Sequence, residues 1–251
     1  MLEALLWDVD GTLAETERDG HLAAFNLAFE ALGVPWRWSA ARYGELLQVA
    51  GGRERLLHDM QQQPLAPAAG AERAALAARI HGAKNEFYAQ LVGAARLPLR
   101  EGVPELLEDC RRAGLRCAIA TTTSTANVEA LLGGQLGAGW RAQFDACVCA
   151  EDAPRKKPDP QVYALALERL RLPAAAALAI EDSPAGVAAA RAAGVGVIVT
   201  RSAFFADAEV GGALAVGPSL GTKRGWVPVP DADASERIDL AQLQRWHRTG
   251  G

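Results

Sequence analysis

Two carboxylates stand one residue apart where an apolar run breaks: Leu5-Leu6-Trp7-Asp8-Val9-Asp10-Gly11-Thr12 reads as a strand entering a loop. Side chains alternate along a strand, so Asp8 and Asp10 project from its end toward one small volume. Like charges held that close call for a cation. A second acidic pair, Glu181-Asp182, directly follows Leu178-Ala179-Ile180, and charges at the end of so apolar a segment are hard to bury without a metal or a basic partner. Arg155-Lys156-Lys157-Pro158-Asp159-Pro160 offers such a partner, in a loop stiffened by its prolines. Thr121-Thr122-Thr123-Ser124 places hydroxyls and backbone amides ahead of a helix, a combination suited to cradling an anion. Carboxylates, lysine and hydroxyls in these positions point to chemistry on a phosphoryl group. Of 26 basic residues only Lys84, Lys156, Lys157 and Lys223 are lysines, and three of them fall in segments assigned here to chemistry.

These residues must be brought together by a scaffold, and the hydrophobic pattern describes one. After Gly11 the spacing of Leu22, Phe25, Phe29 and Leu32, then of Leu46, Leu47, Leu56, Leu57 and Met60, predicts helices. Residues 61–70 form a polar, proline-containing break, and a further helix is expected over 71–92. From Leu97 the order becomes helix 102–113, strand 115–120, helix 125–132, strand 144–149, helix 159–170, strand 176–181, helix 184–193 and strand 195–200. Repeated units of this kind predict an α/β fold with a doubly wound parallel sheet. Val216 is expected as an edge element and 231–246 as the site of a closing helix. The expected organisation is a core of 1–14 and 98–251 with a helical domain, 15–97, inserted after the first strand. Ligands in open α/β sheets bind beyond the carboxyl ends of the strands, so an insert at that point would cover the site as a lid.

Composition narrows the function classes. The 251 residues can bury a core without staples, 50% are hydrophobic, and mean hydropathy is near zero. No apolar run approaches the roughly 18–20 residues of a membrane span, and Asp8 and Asp10 interrupt the N-terminal apolar stretch, so no secretory signal is read there. A cytoplasmic protein, acting as a monomer, is expected. Cys110, Cys117, Cys147 and Cys149 lie in apolar helical or strand-like contexts and are expected to be reduced core residues, with no His or Cys cluster to make a zinc site. A net charge of −4 argues against nucleic acid as the main partner.

Asp-x-Asp-Gly-Thr, Thr121, Lys157-Pro158 and Glu181-Asp182, in this order, resemble the four motifs of the haloacid-dehalogenase superfamily phosphatases. The resemblance covers nearly the whole chain. It implies a Rossmann-like core with an inserted α-helical cap. It also implies that Asp8 is the nucleophile, Asp10 the general acid and base, and that Thr121 and Lys157 hold the transferring phosphoryl oxygens. Asp182, Asp8 and the carbonyl of Asp10 would bind Mg2+, with Glu181 at or just behind the ion's ligands. Asp10, sharing a site with Asp8 and Asp182, is expected to hold a proton more readily than an isolated carboxylate. An acid at position 10 also speaks against dehalogenation, which needs no such leaving-group acid.

The insert is similar to that of the CbbY-type sugar-phosphate phosphatases, a family associated with the Calvin cycle and acting on xylulose 1,5-bisphosphate. The likeness rests on Ala14-Glu15-Thr16-Glu17, Tyr43 with Glu45-Leu46-Leu47, Gly51-Gly52-Arg53-Glu54-Arg55, His81 with Lys84, and Thr121 to Ser124 with Asn127 to Leu131. A bisphosphate needs a second anion site away from Asp8, which Gly51, Gly52, Arg53, Arg55 and the His81/Lys84 pair, three apart on one helix, would supply. Glu17, His21, Tyr43, Glu54, Thr122, Thr123 and Asn127 complete the expected substrate contacts. The family often has lysine where Arg53 stands, and a fork in place of a point charge alters that contact. The likeness thus implies a small sugar phosphate as partner and hydrolysis through an aspartyl phosphate. A phosphomutase of the β-phosphoglucomutase type, or a phosphatase for another small phosphate such as phosphoglycolate, would share the entire core. A signalling receiver also groups acids, Thr and Lys around magnesium, but it carries its acceptor at a later strand and has no insert.

Overall fold

The computed structural model describes residues 1–49, 51–93, 97–232 and 235–250. The expected insert range therefore includes residues 50 and 94–96, and the expected core includes 233, 234 and 251, which lie outside the described residues. Six strands form one parallel sheet: β1 (Ala4–Trp7), β2 (Arg116–Ala120), β3 (Ala146–Val148), β4 (Ala177–Glu181), β5 (Gly196–Thr200) and β6 (Ala215–Gly217), in the order β3-β2-β1-β4-β5-β6. Central strands buried on both faces must be apolar throughout, which is why Ala4-Leu5-Leu6-Trp7 and Ala177-Leu178-Ala179-Ile180 read as unbroken runs. Strand order reverses at β1, whose Trp7 is in register with Ile119 on one side and Ile180 on the other. A crevice at the carboxyl ends follows from that reversal.

The alternation of side chains divides the core into two layers. Leu5, Trp7, Ile119, Leu178 and Ile180 face an apolar layer with Val103, Leu106, Val128, Leu131 and Trp246, which come from α5 (Val103–Ala113), α6 (Thr125–Leu136) and α9 (Leu240–Thr249). Leu6, Ala118, Ala179, Val197 and Val199 face the other layer, with Val162, Tyr163, Val187 and Ala190 of α7 (Gln161–Leu170) and α8 (Pro184–Ala192). Strand β3 is shorter than expected: Phe144 ends a 3-10 turn over Trp140–Gln143, and the Cys149 N–H turns to the Asp152 carboxylate at 3.0 Å. Helix α6 instead runs past 132 through two glycines, where a Cβ on Gly134 would stand 3.2 Å from the Val92 carbonyl. Helix α9 begins only at Leu240, capped by the Asp239 carboxylate, well inside the expected 231–246.

Between β1 and α5 lie α1 (Ala23–Ala31), α2 (Ala40–Leu46), α3 (Gly52–Asp59) and α4 (Ala71–Gly93), preceded by a π-helical turn over Glu17–Leu22. They enclose an apolar cluster of their own around Phe25, Phe29, Trp36, Trp38, Leu56 and Ile80. The chain leaves and re-enters the core at one place, where Ala14 pairs with Leu99 and the Arg100 N–H donates to the Leu13 carbonyl at 2.8 Å. Phe29 is fully buried, with the Trp38 ring edge-on at 5.1 Å and Trp36 at 6.0 Å. Phe29→Ala should therefore cost about 3–5 kcal/mol, measured as a shift in the urea midpoint at unchanged m-value.

Candidate active site

Strand β1 delivers Asp8 directly into the crevice, with its N–H held by the Ile180 carbonyl at 3.1 Å. Gly11 then turns the chain at a φ of +83°, and a Cβ there would lie 2.1 Å from Asp182 Oδ2, so glycine lets the two loops touch. At the end of β4, Glu181 and Asp182 are buried, and ligand atoms of Asp8, Glu181 and Asp182 lie within 4.8 Å of one another. Lys157 answers this negative charge. Its Nζ donates to Asp8 Oδ1 and to Glu181 Oε1, both at 2.6 Å. Glu181 is wholly enclosed: Oε1 also accepts from the Tyr163 hydroxyl at 2.6 Å, and Oε2 accepts from Asp182 N–H, Ser183 N–H and Ser183 Oγ. It holds Lys157 in place rather than offering a free oxygen. Asp182 Oδ2 accepts from Ser202 Oγ at 2.6 Å.

The charges tell which group is unsettled. Burial raises Asp8, the attraction of Lys157 lowers it, Glu181 raises it again, and the outcome is about 7. Burial, then Asp8 and Glu181, push Asp182 well above the usual carboxylate range. Lys157 is also penalised by burial, but Asp8 and Glu181 outweigh that and raise it. Asp8 Oδ2 and Asp182 Oδ1 have no donor among the described residues. Two buried carboxylates with free hard oxygens are the donor set for a small divalent cation, and the site fits one. The side chain of Asp10 does not join this set, so a metal role for that residue rests on its carbonyl alone. Its Oδ1 instead accepts from Thr16 Oγ1 at 2.5 Å and from His21 Nε2 at 2.9 Å.

That arrangement reverses the expected protonation of Asp10. Burial raises it, but the charge and hydrogen bond of His21, then Thr16 and Lys84, together lower it to about 2. His21 is stacked on Tyr88 at 4.3 Å, and its buried Nδ1 has no partner among the described residues.

A cavity of about 360 Å³ opens above, lined by Asp10, Glu17, His21, Gly51, Gly52, Arg53, Glu54, Arg55, His81, Lys84, Thr122, Thr123 and Asn127. A smaller one, about 90 Å³, holds Asp8, Lys157 and Asp182 and shares Asp10, Glu17, Gly51, Arg55 and Thr122 with the larger. Every expected substrate contact except Tyr43 lines the larger cavity. Tyr43 is fully buried, donates to Glu17 Oε2 at 2.5 Å and accepts from Arg55 NH1 at 2.8 Å, so it orients two cavity residues from behind. Thr121 is buried and lines neither cavity; its Oγ1 accepts the Thr123 N–H at 3.2 Å and donates to no acceptor among the described residues. His81 does not make a cation pair with Lys84: burial first, then Lys84, lowers it to about 4, leaving it neutral. Lys84 is buried over the rings of Phe25 and Tyr88, and burial, partly offset by Asp10 and Glu17, lowers it to about 8. Thr16, Lys156, Ser202 and Phe205 were not among the expected site residues. Lys156 and Phe205 line the cavities, yet only Lys156 had a sequence signal, its place beside Lys157.

The chain matches the haloacid dehalogenase-like hydrolases over residues 2–194. It belongs to that family. Within it, the chain is 47% identical over 247 residues to Protein CbbY, plasmid, of Cupriavidus necator, covering 98% of this chain and 97% of that one. It is 43% identical over 213 residues to Protein CbbY of Cereibacter sphaeroides, covering 85% and 90%. Its fold superposes with a TM-score of 0.84 on a crystal structure of a CbbY variant from Rhodobacter sphaeroides in complex with xylulose-(1,5)bisphosphate, at 39% identity, covering 97% of this chain and 99% of that one. The protein is thus an enzyme, a haloacid dehalogenase-like hydrolase of phosphoric monoesters. Among the described residues no helix is long and apolar enough to cross a membrane.

The raised Asp8 has a measurable consequence. Its folded value of about 7 lies above its ordinary 3.8, so the folded state binds the extra proton between those limits and stability falls as pH rises through that window. A divalent cation competes with that proton. Magnesium chloride at a hundred times its Kd should raise the melting temperature of the metal-free protein by roughly 5 °C at pH 8 and by much less at pH 5, as read by differential scanning calorimetry.

Proposed function

We propose that this hydrolase removes one phosphate from a small sugar bisphosphate, converting xylulose 1,5-bisphosphate to xylulose 5-phosphate, with magnesium and through a phosphorylated Asp8. The observation that carries this reading is a cavity with two ends suited to anions. Asp8, Lys157 and Thr122 line the inner end; Arg53, Arg55, Lys84 and Lys156 line the outer chamber, with Glu17 and Glu54 to accept from sugar hydroxyls. The similar Rhodobacter sphaeroides protein holding xylulose-(1,5)bisphosphate supports the same substrate here. In this reading residues 15–97 act as a cap, since α1, α3 and α4 supply the outer chamber.

The chemistry follows from the side chains. Magnesium, held by Asp8, Asp182 and the carbonyl of Asp10, would offset the repulsion between a carboxylate and a phosphate ester. An Asp8 oxygen attacks phosphorus, an O–P bond forms, and the ester O–P bond breaks with its electron pair leaving on the sugar oxygen. Lys157 and the Thr121 hydroxyl face the equatorial oxygens. Asp10 protonates the departing oxygen. Although His21 and Thr16 keep Asp10 ionised on its own, the negative charge of an arriving phosphate raises its affinity for a proton. In the second half Asp10, ionised again, takes a proton from the water that attacks the phosphorylated Asp8, releasing phosphate.

Asp8→Asn should abolish phosphate release from xylulose 1,5-bisphosphate while circular dichroism stays that of wild type, because an amide cannot form the acyl phosphate. Turnover by the purified variant would remove Asp8 from the mechanism. Lys84→Ala should lower kcat/KM for the bisphosphate roughly tenfold to a hundredfold and alter a matched monophosphate much less, a charged hydrogen bond contributing about 1.5–3 kcal/mol. The wild-type preference should also decline above about pH 8, as Lys84 loses its proton, and Lys84→Arg should hold it constant. Equal effects on both substrates would exclude Lys84 from the second phosphate site.

A further inference from the structure

Arg100 lies where the polypeptide re-enters the core from the helical layer, and it lines neither cavity of the active site. Its guanidinium nevertheless meets four carbonyls from three separate segments. Nη1 donates to Gly11 O and to Thr200 O, the latter at 3.2 Å, and Nη2 donates to Arg201 O at 2.5 Å and to Pro218 O at 2.8 Å. A planar fork with five donors can hold such a set, and a lysine cannot. Nε stands 3.6 Å from Glu15 Oε1, while Glu15 Oε2 accepts the Ala203 N–H at 3.2 Å. The side chain is only 9% exposed.

Two of these carbonyls, those of Gly11 and Arg201, belong to turns that meet at Asp182. Gly11 packs so close that a Cβ would collide with Asp182 Oδ2, and Ser202, next to Arg201, donates to that same oxygen. We propose that Arg100 is a positioning residue for phosphoryl transfer: by clamping the Gly11 turn and the Arg201-Ser202 turn it holds Asp182 against Asp8, and so sets the affinity of the site for its cation. The inference rests on the magnesium-dependent reading above. It extends that reading to a residue that touches neither substrate nor metal. Partners one layer behind metal ligands change affinity or activity by about 10–100-fold when removed.

The test uses the whole 251-residue chain and magnesium itself. Isothermal titration of the metal-free protein should show Mg2+ binding weakened about tenfold or more in Arg100→Lys, with kcat lowered and KM for the phosphate ester near wild type. Ser202→Ala should weaken Mg2+ in the same direction. Because both act through Asp182, the double variant should lose less than the product of the two single losses. An Arg100 that serves stability alone would lower the melting temperature and leave Mg2+ affinity and kcat unchanged, which overturns the proposal, as does a double variant equal to the product. Should Arg100→Lys not fold, Glu15→Gln carries the test, since without the carboxylate that orients Nε the guanidinium's hold on its carbonyls slackens: weakened Mg2+ binding supports the proposal and wild-type binding overturns it. A wild-type protein that binds Mg2+ but hydrolyses no phosphate ester would count against the functional reading and not against this one.

Discussion

Three carboxylates, Asp8, Glu181 and Asp182, share one buried corner of the crevice with a single ammonium group, Lys157. Removing so much negative charge from water is unfavourable unless each oxygen has a partner. Much of the surrounding structure supplies those partners. Tyr163 and Ser183 occupy the oxygens of Glu181, Ser202 takes one oxygen of Asp182, and glycine at positions 11 and 186 lets main chain approach both carboxylates. The charge left unmatched sits on Asp8 and Asp182, the pair best placed to hold a cation. In the proposed reaction an attacking Asp8 carboxylate would come close to a phosphate only when that charge is balanced, which would couple binding of the ion to catalysis.

Topology makes this corner possible. Strand β1 lies between β2 and β4, so the Asp8 loop and the Glu181-Asp182 turn are neighbours although far apart in the chain. Helical propensity and apolar packing build a second unit above them, and its contact with the core is chemical as well as steric. Asp10 belongs to the core loop, but its hydrogen-bond partners Thr16 and His21 belong to the segment entering the helical layer. Tyr88 of α4 stacks on His21, and Lys84 one turn earlier lies over the same Tyr88 ring. Any shift of the helical layer against the sheet would change the environment of Asp10, the acid–base group of the proposed reaction. In the proposed reaction such a link would let substrate held in the outer chamber tune proton transfer at the inner one.

The aromatic cluster of the helical layer has a comparable double role. Tyr43 fills the cluster with its ring and uses its hydroxyl to hold Glu17 and Arg55 at the cavity wall. Phe204, from the loop that follows β5, packs on the other side of Tyr43 at 5.6 Å. Core and helical layer are thus joined through apolar contact at one edge and through buried polar groups at the other.

The order of chemistry along the chain was legible from residue types alone, because strands buried on both faces must be continuous apolar runs and their ends must then carry whatever is polar. Asp8, Lys157 and the Glu181-Asp182 pair therefore announced the sheet and the cluster that its strand ends bring together, and the spacing of Phe25, Phe29 and Leu56 announced the helices. Where those elements ended was less legible. Strand β3 stops at a side-chain hydrogen bond from Asp152, and α6 continues through glycines that periodicity treats as a break. The protonation of Asp10, the neutrality of His81 and the inward turn of Tyr43 depend on groups that meet only after folding. Arg100 and Ser202 carry no local signature at all, since their partners are brought near by the sheet rather than by sequence spacing. Sequence by itself determined which chemical groups stand at which strand ends, a matter of local pattern and burial. Tertiary structure decided how those groups share protons and charge, because electrostatic interaction depends on distance and desolvation, and both are set only when the chain has closed.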